Sequence, residues 1–311
     1  MNSRIGNWTA DIHRGDRVVG TRSMTVEPIL NGRFHSCRFV DQMGAQTVRG
    51  WLLVSLAADG TPIAAKSYDS LGRNHSWSAS LDDGQLTLNA PNRSYRETIG
   101  RNGPIGATIT DSGQGEWTLR DFRKATARVT QQADSPPEAN SPMAAFASRI
   151  GTWHGDVLFL GRKVFEVEYS WSWDLNGRLN VQHRKAGGEL VVDTWSAADG
   201  VYESTVFTTN GEIQIRRLTE HESSRDVVLD KADDLGVSRI SESLNTTGES
   251  FVRGLRENGS TVWDCPKMVR VSPIPLHLEA EVGLRDAVTI PDSINFREAM
   301  KYNESGPVDL F

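Results

Sequence analysis

The sequence predicts an all-β chain of two tandem antiparallel barrels, with short helices and a C-terminal tail. Three observations carry this reading: the first half recurs in the second, apolar residues alternate with a period of two, and Asx-Gly turns punctuate the chain at strand spacing.

Residues 4–11, RIGNWTAD, return as RIGTWHGD at 149–156, a shift of 149 − 4 = 145. The same shift carries ILNGRFHS (29–36) onto DLNGRLNV (174–181). A third block, KSYDSLGRNHSWSASLDDGQLTL (66–88), aligns with DTWSAADGVYESTVFTTNGEIQI (193–215) at 193 − 66 = 127. That block lays Asp83-Gly84 on Asn210-Gly211 and gives the first copy 145 − 127 = 18 extra residues. It makes Tyr202 the mate of His75, and Trp195 the mate of Tyr68. Composition sets the boundaries. Residues 1–130 form the first unit, and the polar, proline-bearing QQADSPPEANSP (131–142) reads as a linker. A helix-prone run, PMAAFASRIGTW, leads into the second unit (143–271). The extension 272–311 has no counterpart in the first copy; it contains NFREAMKY, a short helix after Asp292-Ser293, and is free to pack on a barrel, close its mouth or mediate a homodimer.

Alternation is strict in VFEVEYSWSW (164–173), where Phe165, Val167, Tyr169, Trp171 and Trp173 share one face. NHSWSAS does the same with His75, Trp77 and Ala79. Turns at Asn31-Gly32, Asp59-Gly60, Asp83-Gly84, Asn176-Gly177, Asp199-Gly200 and Asn210-Gly211 supply the positive φ that tight hairpins demand. Each copy thus holds roughly eight short strands in meander order, and closing such a sheet buries its apolar face and removes its edges. A two-sheet sandwich is the rival architecture. GRNGPIG (100–106) reads as a loop.

An opening G-x-W, a strand and a Gly-Arg turn together resemble the lipocalin-like (calycin) superfamily. Here these are Gly6-Asn7-Trp8 with Asn31-Gly32-Arg33, and Gly151-Thr152-Trp153 with Asn176-Gly177-Arg178. The YDSLGRNHSW segment is similar to a strand-turn-strand of uncharacterised bacterial lipocalin-like proteins. The resemblance implies a barrel around a small ligand. It also implies two families of activity, the cofactor-free cyclases of natural-product pathways (decalin-forming Diels–Alderases among them) and plain binding proteins.

Composition narrows the function classes. A net charge of -6 with scattered arginines argues against a nucleic-acid partner. No apolar run approaches the roughly 20 residues that span a bilayer, so no membrane partner is expected. The first residues lack the basic start and apolar run of a signal peptide. Cys37 and Cys265 read as reduced thiols of a cytoplasmic protein. Glu220-His221-Glu222 has no third ligand at metal spacing, His277 lacks the flanks of an axial haem ligand, and no nucleotide or hydrolase fingerprint occurs. No metal and no cofactor are expected.

The aromatic stripe Tyr169, Trp171, Trp173 is the first candidate for gripping a flat apolar ligand, against the plain alternative of core packing. Trp77, Tyr68 and Trp195 join it as substrate-binding candidates. Arg38 and His183 occupy matching positions after the Gly-Arg turns; with Phe34, Ser36 and Leu179, Val181 pointing inward they become interior groups that pair or wait for an anion. His75, Tyr202 and His183 are the catalytic candidates, polar groups placed to move a proton or polarise a carbonyl. The expected function is a cofactor-free isomerase, cyclase or lyase acting on a hydrophobic small molecule. A carrier or sensor is the alternative, and packed barrels without a cavity are the third.

Overall fold

A computed structural model describes residues 1–129, 135–184, 188–197, 199–220, 224–229, 231–233, 235–245 and 248–272. The expected helix in the tail, and His221, Glu222 and His277, lie outside the described residues.

The first copy comprises β1 (Gly6–Arg14), β2 (Arg17–Ile29), β3 (Phe34–Met43), β4 (Gln46–Leu56), β5 (Pro62–Asp69), β6 (Asn74–Asp82), β7 (Gln85–Ala90), β8 (Arg93–Gly100), β9 (Gly103–Asp111) and β10 (Gly115–Lys124). The second comprises β11 (Gly151–Phe159), β12 (Arg162–Asp174), β13 (Leu179–Arg184), β14 (Glu189–Ser196), β15 (Val201–Thr208), β16 (Ile213–Glu220), β17 (Ser224–Val228), β18 (Arg239–Leu244), β19 (Glu249–Leu255) and β20 (Thr261–Ser272). Each set closes into an antiparallel barrel in which every strand pairs with its sequence neighbours and the first meets the last. Each barrel therefore has ten strands, not eight. Part of the difference lies in GRNGPIG, which is a hairpin: β8 runs to Gly100 and β9 starts at Gly103. The glycines are there for space, since a Cβ on Gly103 (φ +131) would stand 2.0 Å from the Trp8 ring.

The Asx-Gly turns form as the pattern predicts, with Asp83 (φ 44) and Gly84 (φ 75) both left-handed. Leu30-Asn31-Gly32 and Leu175-Asn176-Gly177 repeat one another with all three residues at positive φ. Register gives the true repeat. Trp51 pairs Tyr68 in the first barrel and Leu190 pairs Phe207 in the second, so here the shift is 190 − 51 = 207 − 68 = 139. The shift of 127 is one strand out of step. The mate of Tyr68 is thus Phe207, and that of His75 is Gln214 (214 − 75 = 139), which corrects the pairings with Trp195 and Tyr202. The first copy has six extra residues in its β3–β4 hairpin (145 − 139 = 6) rather than eighteen.

One end of each barrel is closed alike. Arg4 precedes β1 and Arg149 precedes β11, the latter ending a 3-10 helix (Pro142–Arg149) whose N-cap Ser141 accepts from the Met143 N–H. Each arginine enters its barrel and meets a buried glutamate, Arg4 Nε–Glu97 Oε1 at 2.8 Å and Arg149 Nε–Glu242 Oε2 at 3.2 Å. Each backbone carbonyl accepts the indole N–H of the G-x-W tryptophan, Trp8 at 2.9 Å and Trp153 at 2.7 Å.

The barrels pack side by side through β3–β5 and β13–β15. Phe34, Trp51, Leu53 and Tyr68 share one apolar cluster with Leu179, Val192 and Phe207, and the Phe34 and Phe207 rings meet edge-on at 5.5 Å. Arg38 Nη1 stands 2.7 Å from Asp174 Oδ2, and Lys66 Nζ 2.7 Å from Glu203 Oε1. The face of β3 holding Phe34, Ser36 and Arg38 therefore points at the other barrel. The interior instead receives Cys37, with Phe39 packed against its core.

Candidate functional site

Alternation on β12 turns Phe165, Val167 and Tyr169 into the second barrel, where they face Val157, Val191, Val206, Val252 and Met268. These side chains do not fill the space. They bound a cavity of about 870 Å³ inside the second barrel, whereas the first barrel retains about 80 Å³. The larger volume lies within the range of small-molecule sites, about 300–1,000 Å³.

Charged side chains are interleaved with the apolar ones around the cavity. Arg225 on β17 donates to Asp193 Oδ1 at 2.9 Å, stands 3.5 Å from Glu242 Oε2, and lies over the Trp171 ring at 4.9 Å. Glu242 also accepts from Ser250 Oγ at 2.9 Å. Burial disfavours the Glu242 carboxylate, but Arg149 and Arg225 outweigh it and hold its pKa below the ordinary value. Asp193, in the same network, goes the other way, because burial outweighs Arg225. Arg184 pairs with Glu189 at 3.2 Å, and Arg216 Nη2 donates to Gln214 Oε1 at 2.5 Å. Burial pushes the Tyr169 phenol well above its ordinary pKa, so it stays protonated and can only donate or accept as a neutral hydroxyl.

Of the residues singled out from sequence, Tyr169 lines this cavity. Trp171 is buried beneath it, edge-on to Tyr169 at 6.4 Å. Trp173 belongs to a separate cluster with Met143, Phe146, Leu218 and Val227. Trp195 and Tyr202 pack on that cluster, and Tyr202 donates to the Pro142 carbonyl at 2.8 Å. These three aromatics seat the 3-10 helix on the barrel end and do not line the cavity. His183 shares the outward parity of β13 with Leu179 and Val181 and is absent from the cavity lining. Arg38 is spent on Asp174 and on the Trp51 ring, 4.2 Å away. Tyr68 is buried in the contact between barrels.

His75 and Trp77 belong to the first barrel, 5.4 Å apart and edge-on. His75 Nε2 lies 3.3 Å from Arg93 Nη1, and burial together with Arg93 lowers its pKa, so the ring is neutral near pH 7. Trp77 donates to Ser67 Oγ at 2.9 Å and fills the barrel. The proposed catalytic trio is thus spread over the first barrel's rim, the second barrel's plug and its outer face.

The charged side chains of the cavity missed from sequence are Arg184, Arg216, Arg225 and Glu242. An aligned repeat would have exposed the three arginines: at matching places the first copy has Phe39 (184 − 39 = 145), Trp77 (216 − 77 = 139) and Leu86 (225 − 86 = 139), whereas Glu242 falls on Glu97 (242 − 97 = 145) and is not set apart.

Among the described residues no group of three or more His, Cys, Asp or Glu is arranged to hold a metal ion, and no helix is long and apolar enough to cross a membrane. Cys37 and Cys265 are both free and buried, in different barrels.

No protein-family model and no curated protein matches the chain. Among solved structures, the chain is similar to a protein of unknown function from the DUF3598 family of Nostoc punctiforme. The two are 12% identical over 87% of this chain and 97% of that one, with a TM-score of 0.24. Kievitone hydratase from Nectria haematococca is 10% identical over 88% and 91% of the two chains, with a TM-score of 0.17. A Lactobacillus plantarum protein is 8% identical over 86% and 98%, with a TM-score of 0.13. Likeness at these TM-scores carries no argument about this chain.

Proposed function

We propose that the second barrel is a chamber for a hydrophobic small molecule, and that the chain acts on it as a cofactor-independent isomerase, cyclase or lyase. The observation that carries this reading is the 870 Å³ cavity whose lining combines apolar side chains with ionisable ones. A cavity lined by apolar groups alone would suit a carrier, and a filled barrel a structural part. Apolar confinement selects one folded conformer of the substrate, which by itself lowers a unimolecular barrier by several kcal/mol. Tyr169, protonated at neutral pH, serves as the donor that polarises a substrate carbonyl or alkene-bound oxygen. Glu242, held ionised by Arg149 and Arg225, supplies the fixed field around it.

Native mass spectrometry of the purified chain is the first test, with the expectation that a small molecule is retained and that Val206→Trp, which fills the cavity, loses it. Retention by Val206→Trp places the ligand elsewhere and ends the chamber reading. The second test follows the retained compound through incubation with ligand-free protein. Conversion to an isomer of equal mass, or to a product lighter by an eliminated fragment, is expected, and Tyr169→Phe should slow it by about 10²-fold or more. Recovery of unchanged compound leaves a carrier.

A further inference from the structure

The arginines of the second barrel are not equally occupied. Arg225 is met by Asp193 and Glu242, Arg149 by Glu242, and Arg184 by Glu189. Arg216 is half-buried in the cavity wall, and among the described residues no carboxylate oxygen lies within 4.0 Å of its guanidinium; its hydrogen-bond partner is the neutral Gln214. Burial lowers its pKa, opposed by Glu189 and Asp233 at longer range and reinforced by Arg184 and Arg225. A half-buried guanidinium without a carboxylate in contact is costly to keep, and that cost is relieved when an anion enters.

In the first barrel, whose interior retains only about 80 Å³, the same positions hold aromatic residues. The mate of Arg216 is Trp77, which is buried in its barrel, and the mate of Arg184 is Phe39, half-buried and packed against the same core. Two core positions of one copy are thus two cations lining the cavity of the other, and the volume between them has grown from about 80 to about 870 Å³.

We propose that the ligand of the second barrel carries an oxyanionic group on an apolar body, and that Arg216, flanked by Arg184, binds that group while the Val157–Phe165–Tyr169 wall takes the body. The assignment rests on the chamber reading above. The planar fork of Arg216 suits a carboxylate, sulfonate or phosphate ester, which accept two parallel N–H bonds.

Two fluorescent probes of one shape test it on the full chain: anilinonaphthalene sulfonate, and phenylnaphthylamine, which lacks the sulfonate. The wild type should bind the sulfonate roughly ten-fold more tightly than the neutral probe. Arg216→Gln should remove that preference by weakening the sulfonate alone, and Arg216→Lys should keep most of it. Circular dichroism confirms the fold of each variant, and Arg184→Gln provides a second reading of the same preference. Equal wild-type affinity for both probes, or a preference untouched in Arg216→Gln, overturns the oxyanion assignment and leaves the chamber standing. Binding of neither probe overturns the chamber itself.

Discussion

Arg4 and Glu97 are each 0% exposed, and their pair sits where the barrel would otherwise need an apolar plug. Burial opposes the Arg4 charge, yet the adjacent Glu97 more than offsets it and raises the Arg4 pKa. Tyr95 donates to the same carboxylate at 2.5 Å, so Glu97 is held from two sides. Such a pair adds little net stability compared with a hydrophobic replacement, but losing one partner strands a charge. Glu97→Gln is therefore expected to cost about 3–5 kcal/mol, while the joint change Arg4→Met with Glu97→Leu should recover most of it. Urea unfolding of the three variants checks this, and a cost for the joint change equal to that of the single one overturns it. His35 is the interior histidine nearest this plug. It is 2% exposed, and burial, aided by Arg4, pushes its pKa down to about 4 from an ordinary 6.5. The unfolded chain protonates first, so stability is full above pH 6.5 and falls as the pH drops towards 4, by roughly 3 kcal/mol. Urea midpoints measured from pH 7.5 to 4 should fall less steeply in His35→Leu than in the wild type. Equal slopes would remove His35 from the account.

Strands with one wet face were legible from sequence, and strands with two dry faces were not. On β6 and the first half of β12 polar residues alternate with apolar ones on a face open to water; from Tyr169 to Asp174 both faces of β12 are buried, and there Ser170 and Ser172 still mark the parity observed. On β4, Trp51, Leu52, Leu53 and Val54 are all buried, and on β14 so are Leu190, Val191 and Val192, because one face fills a barrel and the other meets the neighbouring barrel. An unbroken apolar run is the mark of a strand covered on both sides. That mark stands at WLLV and LVV, and it turns the Phe34–Ser36–Arg38 face of β3 and the Leu179–Val181–His183 face of β13 towards the neighbouring barrel rather than inward. The 3-10 helix was legible as a helix-prone run but not as a plug. Phe146 on it is 0% exposed, edge-on to Tyr202 at 5.4 Å. Phe146→Ala should cost about 3–5 kcal/mol and open the barrel end. Hydrogen exchange would register this as faster exchange confined to β14–β16 beside the helix, and a change spread evenly over both barrels would argue against the plug.

The contact between barrels is made by matching strands of the two copies. Phe34 answers Leu179 (179 − 34 = 145), Leu53 answers Val192 (192 − 53 = 139) and Tyr68 answers Phe207, and all six lie in one cluster. Leu30 and Leu175, each at φ 49, turn into the same cluster from matching loops, so the left-handed leucines that cost each copy backbone strain are tied to this contact. A patch that meets its own repeat is the pattern of an isologous dimer interface, here within one chain. The ion pairs depart from that pattern: Arg38 meets Asp174, whose mate is Ile29, and Lys66 meets Glu203, whose mate is Ala64. The copies have thus diverged both in the contact and in the interior, where one barrel is filled and the other hollow. The hollow barrel is the less tightly packed inside, with about 870 Å³ open against about 80 Å³, so it should depend more than the filled one on the shared interface. Phe207 is 0% exposed there, and Phe207→Asp places a carboxylate among apolar side chains with no cation assigned to it. Calorimetry of the wild type should show one cooperative transition, and of Phe207→Asp two. The lower should be the second barrel, identified by loss of the environment of Trp153 and Trp171, and the upper the first barrel with Trp8 and Trp77 still buried. A single transition in Phe207→Asp, shifted down as a whole, would mean that the interior cores rather than the interface couple the halves.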